Sequence, residues 1–99
     1  RLLDEVCSCH KYLGDLPQSV TTDATISKHV EQTLQDHLSK TPNRIAYGFW
    51  LSRDTPGTVY LTVAPRHHEP IVVSDGDFMF RRLRFKSIAA VVDHLKRAT

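Results

Sequence analysis

Residues 46–63 read AYGFWLSRDTPGTVYLTV, and this stretch decides the fold. Its first part belongs to an apolar, aromatic-rich segment at residues 45–51, which is typical of a buried strand. Residues 54–57, Asp-Thr-Pro-Gly, have the composition of a tight turn. Apolar residues at 59, 61 and 63 then alternate with polar or aromatic ones, the pattern of a half-buried strand. The stretch therefore predicts a β-hairpin whose first strand, apolar on both faces, is central in its sheet.

Helical periodicity precedes this hairpin. Residues 2–13 repeat apolar side chains at three-to-four spacing, which predicts an amphipathic helix ended by Gly14. Thr22 or Asp23 can cap a second helix. This helix is expected to end at residues 41–43, Thr-Pro-Asn, because of the proline. The apolar stripe of this second helix is Ile26, Val30, Leu34 and Leu38.

The remaining segments complete the order of elements. Residues 65–69 predict a polar loop, residues 71–73 a third strand and residues 74–77 a turn. Residues 78–85 are extended but carry arginines, as expected of a short edge strand. Ser87 can cap a last helix, whose core stripe is Ile88, Val91, Val92 and Leu95. This order predicts an α+β fold, a small antiparallel sheet flanked by two helices with an extra N-terminal helix.

The composition is that of one globular domain. The chain has 99 residues, of which 40% are apolar and 24% charged, and no apolar run approaches the ~20 residues that span a bilayer. We therefore predict no membrane association. No signal peptide is visible, and because residue 1 is an arginine we expect the sequence to be part of a longer protein. The net charge of +2 hides a basic surplus in residues 66–99, which favours an anionic partner.

The only two cysteines are Cys7 and Cys9. On one helix, residues two apart point to different faces, so a disulfide between them is not expected. Free thiols favour a reducing compartment, the cytosol or the nucleus. With His10 these cysteines form a local cluster of zinc-ligand types, but a tetrahedral site needs a second cluster, and the other histidines are scattered. We therefore predict no metal and no cofactor.

The hairpin resembles the phosphate-binding hairpin of Src-homology-2 (SH2) domains. In that family an arginine that clamps the phosphate stands two residues before a loop serine, and a second strand with glycine and tyrosine follows. Here Ser52 matches the serine, and Gly57 and Tyr60 match the second strand. Trp50 stands at the position of the arginine. Residues 77–95, DFMFRRLRFKSIAAVVDHL, are similar to the C-terminal part of the family pattern.

A narrower resemblance concerns residues 45–57, IAYGFWLSRDTPG, followed by residues 77–81, DFMFR. These segments are similar to the C-terminal member of the tandem SH2 pair in transcription elongation factors of the suppressor of Ty 6 family, which also lacks the clamping arginine. The general resemblance to SH2 domains covers about residues 23–97. It implies an SH2-like domain at residues 17–99, preceded by a helix and linker from an upstream domain at residues 1–16.

The tryptophan limits what the site can bind. An arginine fork makes two charge-assisted hydrogen bonds to a phosphate, each worth ~1.5–3 kcal/mol, so its loss removes about two to four powers of ten in affinity. A deep phosphotyrosine socket is therefore not expected, whether Trp50 fills the pocket or belongs to the core. The resemblance implies instead a shallower cationic rim for phosphoserine, phosphothreonine or an acidic segment. The candidate site residues are Lys28, Trp50, Ser52, Arg53, His67 and His68.

Three functions stay open. The resemblance implies a nuclear interaction module of an elongation factor and histone chaperone, which binds the phosphorylated linker or C-terminal region of the largest RNA polymerase II subunit. The first alternative is a structural domain that packs on the upstream SH2 domain and has no phospho-ligand. The second is a weak nucleic-acid-binding module that uses the basic residues Arg81, Arg82, Arg84 and Lys86. Because no acid–base pair, nucleophile triad or glycine-rich phosphate loop is found, we predict no enzymatic activity.

Overall fold

The described part of the chain forms three helices and five strands. The computed structural model describes residues 2–9, 11–14, 16, 18–64, 66–74 and 76–98. The helices are α1 (Leu2–Ser8), α2 (Asp23–Lys40) and α3 (Ile88–Ala98), and the strands are β1 (Tyr47–Leu51), β2 (Thr58–Val63), β3 (His67–Ser74), β4 (Asp77–Phe80) and β5 (Leu83–Phe85). None of the described helices is long and apolar enough to cross a membrane. The predictions for His10, Pro65 and Asp75 lie outside the described residues.

The five strands form one antiparallel sheet in the order β1-β2-β3-β4-β5, which confirms the predicted α+β class. In the β1–β2 hairpin, Trp50 stands opposite Tyr60. Gly57 in the connecting turn has a φ of +89°, a conformation that glycine adopts without the steric cost of a Cβ. The hairpin predicted from residues 46–63 is therefore present, with its turn where the sequence places it.

A hydrophobic cluster lies on each face of the sheet. Alternation along β1 sends Phe49 to the face covered by α3 and Trp50 to the face covered by α2. The helical side chains in these clusters are Ile88, Val91 and Leu95 on one face and Ile26, Val30 and Leu34 on the other. Leu38 and Val92, the remaining members of the predicted stripes, are partly buried against the same clusters. The predicted arrangement of one helix on each side is confirmed.

The start of α2 is fixed by a capping box. Thr22 Oγ1 accepts a hydrogen bond from Thr25 N at 3.3 Å, and Thr25 Oγ1 accepts one from Thr22 N at 3.1 Å. These bonds satisfy backbone donors that a helix end otherwise leaves free. Of the two predicted caps Thr22 is therefore the one used, and Asp23 becomes the first helical residue.

The N-terminal helix is shorter than predicted, since α1 ends at Ser8 rather than at residue 13. Residues 11–13 instead run parallel to β1. Phe49 N donates to Lys11 O at 2.9 Å, and Leu13 N donates to Phe49 O at 2.7 Å. These bonds give partners to backbone groups on the edge of β1 that does not face β2. The free energy gained in this way outweighs the helical preference of the local sequence. Gly14 is therefore not a helix cap.

The position of β1 also differs from the prediction. Its two apolar faces predicted a central strand, but β1 is the first strand of the sheet. Both faces are apolar because a cluster covers each, and residues 11–13 cover the edge. A side chain at Gly48 would collide with this cover, because a Cβ there would lie 2.5 Å from Leu13 Cδ1.

Two further segments depart from the predictions. β3 begins at His67, so the expected loop at residues 65–69 becomes mostly strand through its pairing with β2. The expected single edge strand at residues 78–85 is a hairpin, in which Phe80 pairs with Leu83. Its two turn residues, Arg81 and Arg82, have φ values of 54° and 66°. Positive φ at both positions gives the turn the twist that antiparallel strands favour.

Candidate functional site

Trp50 is a core residue in this structure. Its side chain is 2% exposed and belongs to the cluster under α2. The indole stacks on the Tyr60 ring with centroids 4.6 Å apart, and its Nε1 donates to Thr62 Oγ1 at 2.8 Å. Because the indole N–H is the only donor of this side chain and is already used, Trp50 has nothing left to offer a phosphate.

A chain of polar groups runs from Trp50 to the surface of α2. Because the indole only donates, Thr62 Oγ1 accepts from it and pairs with His68 Nδ1 at 2.7 Å. His68 Nε2 lies 2.6 Å from Glu31 Oε2. The buried polar groups of this chain therefore have hydrogen-bond partners. His68 is turned towards α2, and both of its ring nitrogens are paired with protein groups rather than open to a ligand.

The loop between β1 and β2 is tied to the start of α2. Ser52 is 8% exposed, and its Oγ donates to Asp23 Oδ2 at 2.6 Å. The backbone N–H groups of Arg53 and Asp54 donate to Asp23 Oδ1 at 2.7 and 3.3 Å. Burial raises the pKa of the Asp23 carboxyl, but these three hydrogen bonds outweigh it and hold that pKa below its ordinary value. The carboxylate therefore stays charged.

Lys28 lies in an open polar groove of about 560 Å³ between α2 and the β2–β3 connection. The groove is lined by Lys28, Glu31, Gln32, Gln35 and Arg66. Lys28 and Arg66 are exposed, and neither forms an ion pair with another described residue. Glu31, the acidic residue of the groove, is held by His68. The groove thus presents two cations, unpaired within the described part of the chain, beside amide side chains.

His67 lies on the opposite face of the sheet from His68, as neighbours on a strand must. Its Nε2 is 2.9 Å from Glu69 Oε2. Glu69 also accepts a two-pronged pair of bonds from Arg81, from Nε at 2.8 Å and from the terminal nitrogen at 2.6 Å. Arg81 is the main reason why the pKa of Glu69 lies below its ordinary value. His67 therefore belongs to a separate surface cluster.

The basic cluster at residues 81–86 is partly neutralised by two carboxylates. Arg81 is paired with Glu69, and Arg84 and Lys86 both approach Asp77, with N–O distances of 3.2 and 2.8 Å. Among the described members of the cluster, only Arg82 has no ion-pair partner. The two carboxylates thus offset about half of the positive charge of the cluster, which lowers the charge available to a phosphate backbone.

An apolar groove of about 790 Å³ lies on the other side of the molecule, between α1, α3 and the start of β1. Its lining includes Tyr47, Ala89, Val92 and Ile45, which is 37% exposed. Glu5 crosses the end of this groove, where its carboxylate accepts from the backbone N–H of Ile88 at the start of α3. No sequence pattern singled out this groove, because three separate elements build it.

The six predicted site residues do not form one site. Ser52 and Arg53 share the β1–β2 loop, Lys28 and His68 both lie beside Glu31, Trp50 is core, and His67 is on the other face. Sequence reasoning missed Asp23, Glu31 and Arg66 as site residues. For Glu31 one signal was available in the sequence, because it is a charged residue next to Val30 of the predicted apolar stripe and can therefore lie close to the sheet. Within the described ranges, no three His, Cys, Asp or Glu side chains are grouped to hold a metal ion.

Comparisons with known proteins support the SH2 resemblance. The family model described as "SH2 domain" matches residues 2–98. No curated protein matches the chain. A solved structure of the tandem SH2 domain of the transcription elongation factor Spt6, which binds the phosphorylated RNA polymerase II C-terminal repeat domain, is similar with a TM-score of 0.78 and 18% identity. The match covers 99% of this chain and 48% of that one.

The tandem SH2 domains of Spt6 from Antonospora locustae are similar with a TM-score of 0.70 and 25% identity, covering 98% of this chain and 48% of that one. This chain thus spans about half the length of each solved structure. The matches confirm the predicted resemblance both to SH2 domains and to the tandem SH2 domains of Spt6, that is, of suppressor of Ty 6.

Proposed function

Because this chain belongs to the SH2 domain family, we propose that it is a non-catalytic interaction module of a nuclear transcription elongation factor. It binds a phosphoserine, phosphothreonine or acidic segment of the largest RNA polymerase II subunit, not a deeply inserted phosphotyrosine. In this proposal it is the C-terminal member of a tandem pair, and residues 1–16 lead in from the upstream SH2 domain.

The observation that carries the proposal is the pair of cations in the groove beside α2, neither of which has an ion-pair partner among the described residues. Lys28 and Arg66 line it together, while the Glu31 carboxylate is hydrogen-bonded to His68. An exposed groove suits a short phosphorylated side chain or a run of acidic residues, which needs only contact with cations at the surface. A phosphotyrosine side chain is longer and would need a deep socket. On this face of the sheet, the space between the sheet and α2 holds the buried side chain of Trp50 instead.

The partner is proposed from the relatives. The Spt6 tandem SH2 domain that shares this fold binds the phosphorylated C-terminal repeat domain of RNA polymerase II. We propose the same class of partner for this chain, namely the phosphorylated C-terminal repeats of RNA polymerase II or the linker that precedes them.

The test is a calorimetric titration with phosphorylated and unphosphorylated peptides from that linker and from the repeats. We expect binding that depends on the phosphate, and a loss of about two- to thirtyfold in affinity when Lys28→Gln and Arg66→Gln are combined, since each exposed ion pair contributes ~0.2–1 kcal/mol. Lys40→Gln, at the far end of α2, is the matched control and should bind as the parent does. Equal affinity for the phosphorylated and the unphosphorylated peptide would show that the domain does not recognise the phosphate.

The apolar groove between α1 and α3 favours a second function, packing against the upstream SH2 domain of the same chain. Ile45 is exposed there although it is large and apolar. Amide hydrogen exchange with and without the upstream domain tests this. We expect added protection around Val92 and none around Gln32 on the opposite side, and unchanged exchange around Val92 would exclude this packing.

A further inference from the structure

The β1–β2 loop holds an anion that comes from a distant part of the chain. Asp23 lies 29 to 31 residues before its three donors, Ser52 and the amides of residues 53 and 54. Thr55 N donates to Ser52 Oγ at 2.9 Å, so the proton of that hydroxyl is directed at the carboxylate. One hydroxyl and two consecutive backbone N–H groups thus converge on the same side chain.

Converging backbone N–H groups in a loop form concave sites that bind anions. The donors here are of the kinds that bind phosphate oxygens, and Arg53 adds an exposed guanidinium without an ion-pair partner among the described residues. We propose that residues 52–54 form an anion-binding site that Asp23 occupies from within the chain, so that an external phosphate monoester is excluded until that carboxylate is removed.

Two physical effects exclude the external anion. A carboxylate attached to the same chain has an effective concentration in the millimolar range or above, and it holds the donors without the entropy loss of association. A phosphate that approached Asp23 within about 4 Å would also meet a like charge. Asp54, itself a residue of the loop, adds a second negative charge, and its Oδ2 accepts from Asp23 N at 3.3 Å.

Replacing Asp23 by alanine removes the occupant and leaves the donors in place. The capping box of α2 depends on Thr22 and Thr25 and so survives the change. Each charge-assisted hydrogen bond that an external phosphate then gains is worth about a factor of ten in affinity. The inference does not depend on the groove of Lys28 and Arg66, so an experiment can contradict one of the two proposals without contradicting the other.

The experiment is a titration with inorganic phosphate, followed in ¹H–¹⁵N spectra at the backbone amides of Arg53 and Asp54. In Asp23→Ala we expect saturable shifts at both amides, with an affinity at least about tenfold above that of the parent. Asp36→Ala is the matched control, because it removes an exposed aspartate from the same helix, one whose carboxylate accepts a hydrogen bond from the nearby side chain of Gln32. It should respond as the parent does.

Asp23→Asn gives a second readout, since it keeps the shape and one neutral acceptor. It should bind phosphate more tightly than the parent and less tightly than Asp23→Ala. A folded Asp23→Ala without saturable shifts at the two amides overturns the inference, as does a parent protein that binds phosphate there equally well. If Asp23→Ala does not fold, the same criterion is applied to Asp23→Asn, and an affinity equal to that of the parent overturns the inference.

Discussion

At the scale of single residues, Trp50 shows how one substitution changes a binding site into a core position. The family pattern has a cation here, and this chain has an indole that stacks on Tyr60 and donates inward to Thr62. In the structure, alternation along the strand puts Trp50 on the face that α2 covers. The sequence left open whether it fills a pocket or joins the core, because that depends on which side chains α2 lays over it.

Trp50→Phe should destabilise the fold by about 1–3 kcal/mol, because it removes the donor to Thr62 in a buried site while keeping an aromatic ring. Urea unfolding at 25 °C measures the loss. Thr62→Val removes the acceptor, and since the two residues share one hydrogen bond, the double variant should lose less than the sum of the single losses. Additivity within about 0.5 kcal/mol would show that this bond contributes nothing.

At the scale of elements, the β4–β5 hairpin carries the backbone strain of the described chain. Arg81 and Arg82 both have positive φ, a conformation that costs a residue with a Cβ roughly 1–2 kcal/mol. Arg81 has a compensating interaction, the two-pronged pair with Glu69. Arg82 has none among the described residues, so the two positions in the same turn should respond differently to glycine.

Arg82→Gly should raise the free energy of unfolding by roughly 0.5–1 kcal/mol, since the relief of strain exceeds the extra entropy that glycine loses on folding. Thermal unfolding followed by circular dichroism measures the change. Arg81→Gly is the paired comparison, and it should be neutral or destabilising because it gives up the bonds to Glu69. The same stabilisation in both variants would contradict this account of the turn.

The N-terminal element shows where local periodicity misleads. Residues 2–13 have helical spacing, yet the helix stops at Ser8 because residues 11–13 bond to the edge of β1. Val6 is fully buried in the cluster under α3, so this segment packs on the domain that follows it. The assignment of residues 1–16 to an upstream domain stays a prediction.

At the scale of the whole molecule, three carboxylates with lowered pKa values make stability depend on pH. Lys86 and Arg84 lower the pKa of Asp77, and Arg81 lowers that of Glu69. The bonds from the β1–β2 loop lower the pKa of Asp23 against the effect of its burial. A carboxyl group with a lowered folded pKa stabilises the fold above its unfolded value and loses this contribution as pH falls through the folded value.

We therefore expect stability to be steady above about pH 5 and to fall as pH drops below the ordinary values of 3.8 and 4.5 for Asp and Glu. Urea midpoints measured between pH 7 and pH 2 test this. Glu69→Gln should lower the midpoint at neutral pH and flatten its decline in acid. A parent midpoint that does not change between pH 5 and pH 2 would contradict the assigned role of these groups.

The sequence by itself determined part of the architecture: the hairpin at residues 46–63, the stripes of α2 and α3 and the apolar character of both faces of β1. These follow from local periodicity and turn chemistry, which are written within a few neighbouring residues. Only the tertiary structure decided which polar groups stay free. Asp23 meets Ser52 across 29 residues and His68 meets Glu31 across 37, and no local pattern encodes such pairs. Whether a charged group binds a ligand or a neighbour therefore depended on the packing of distant elements.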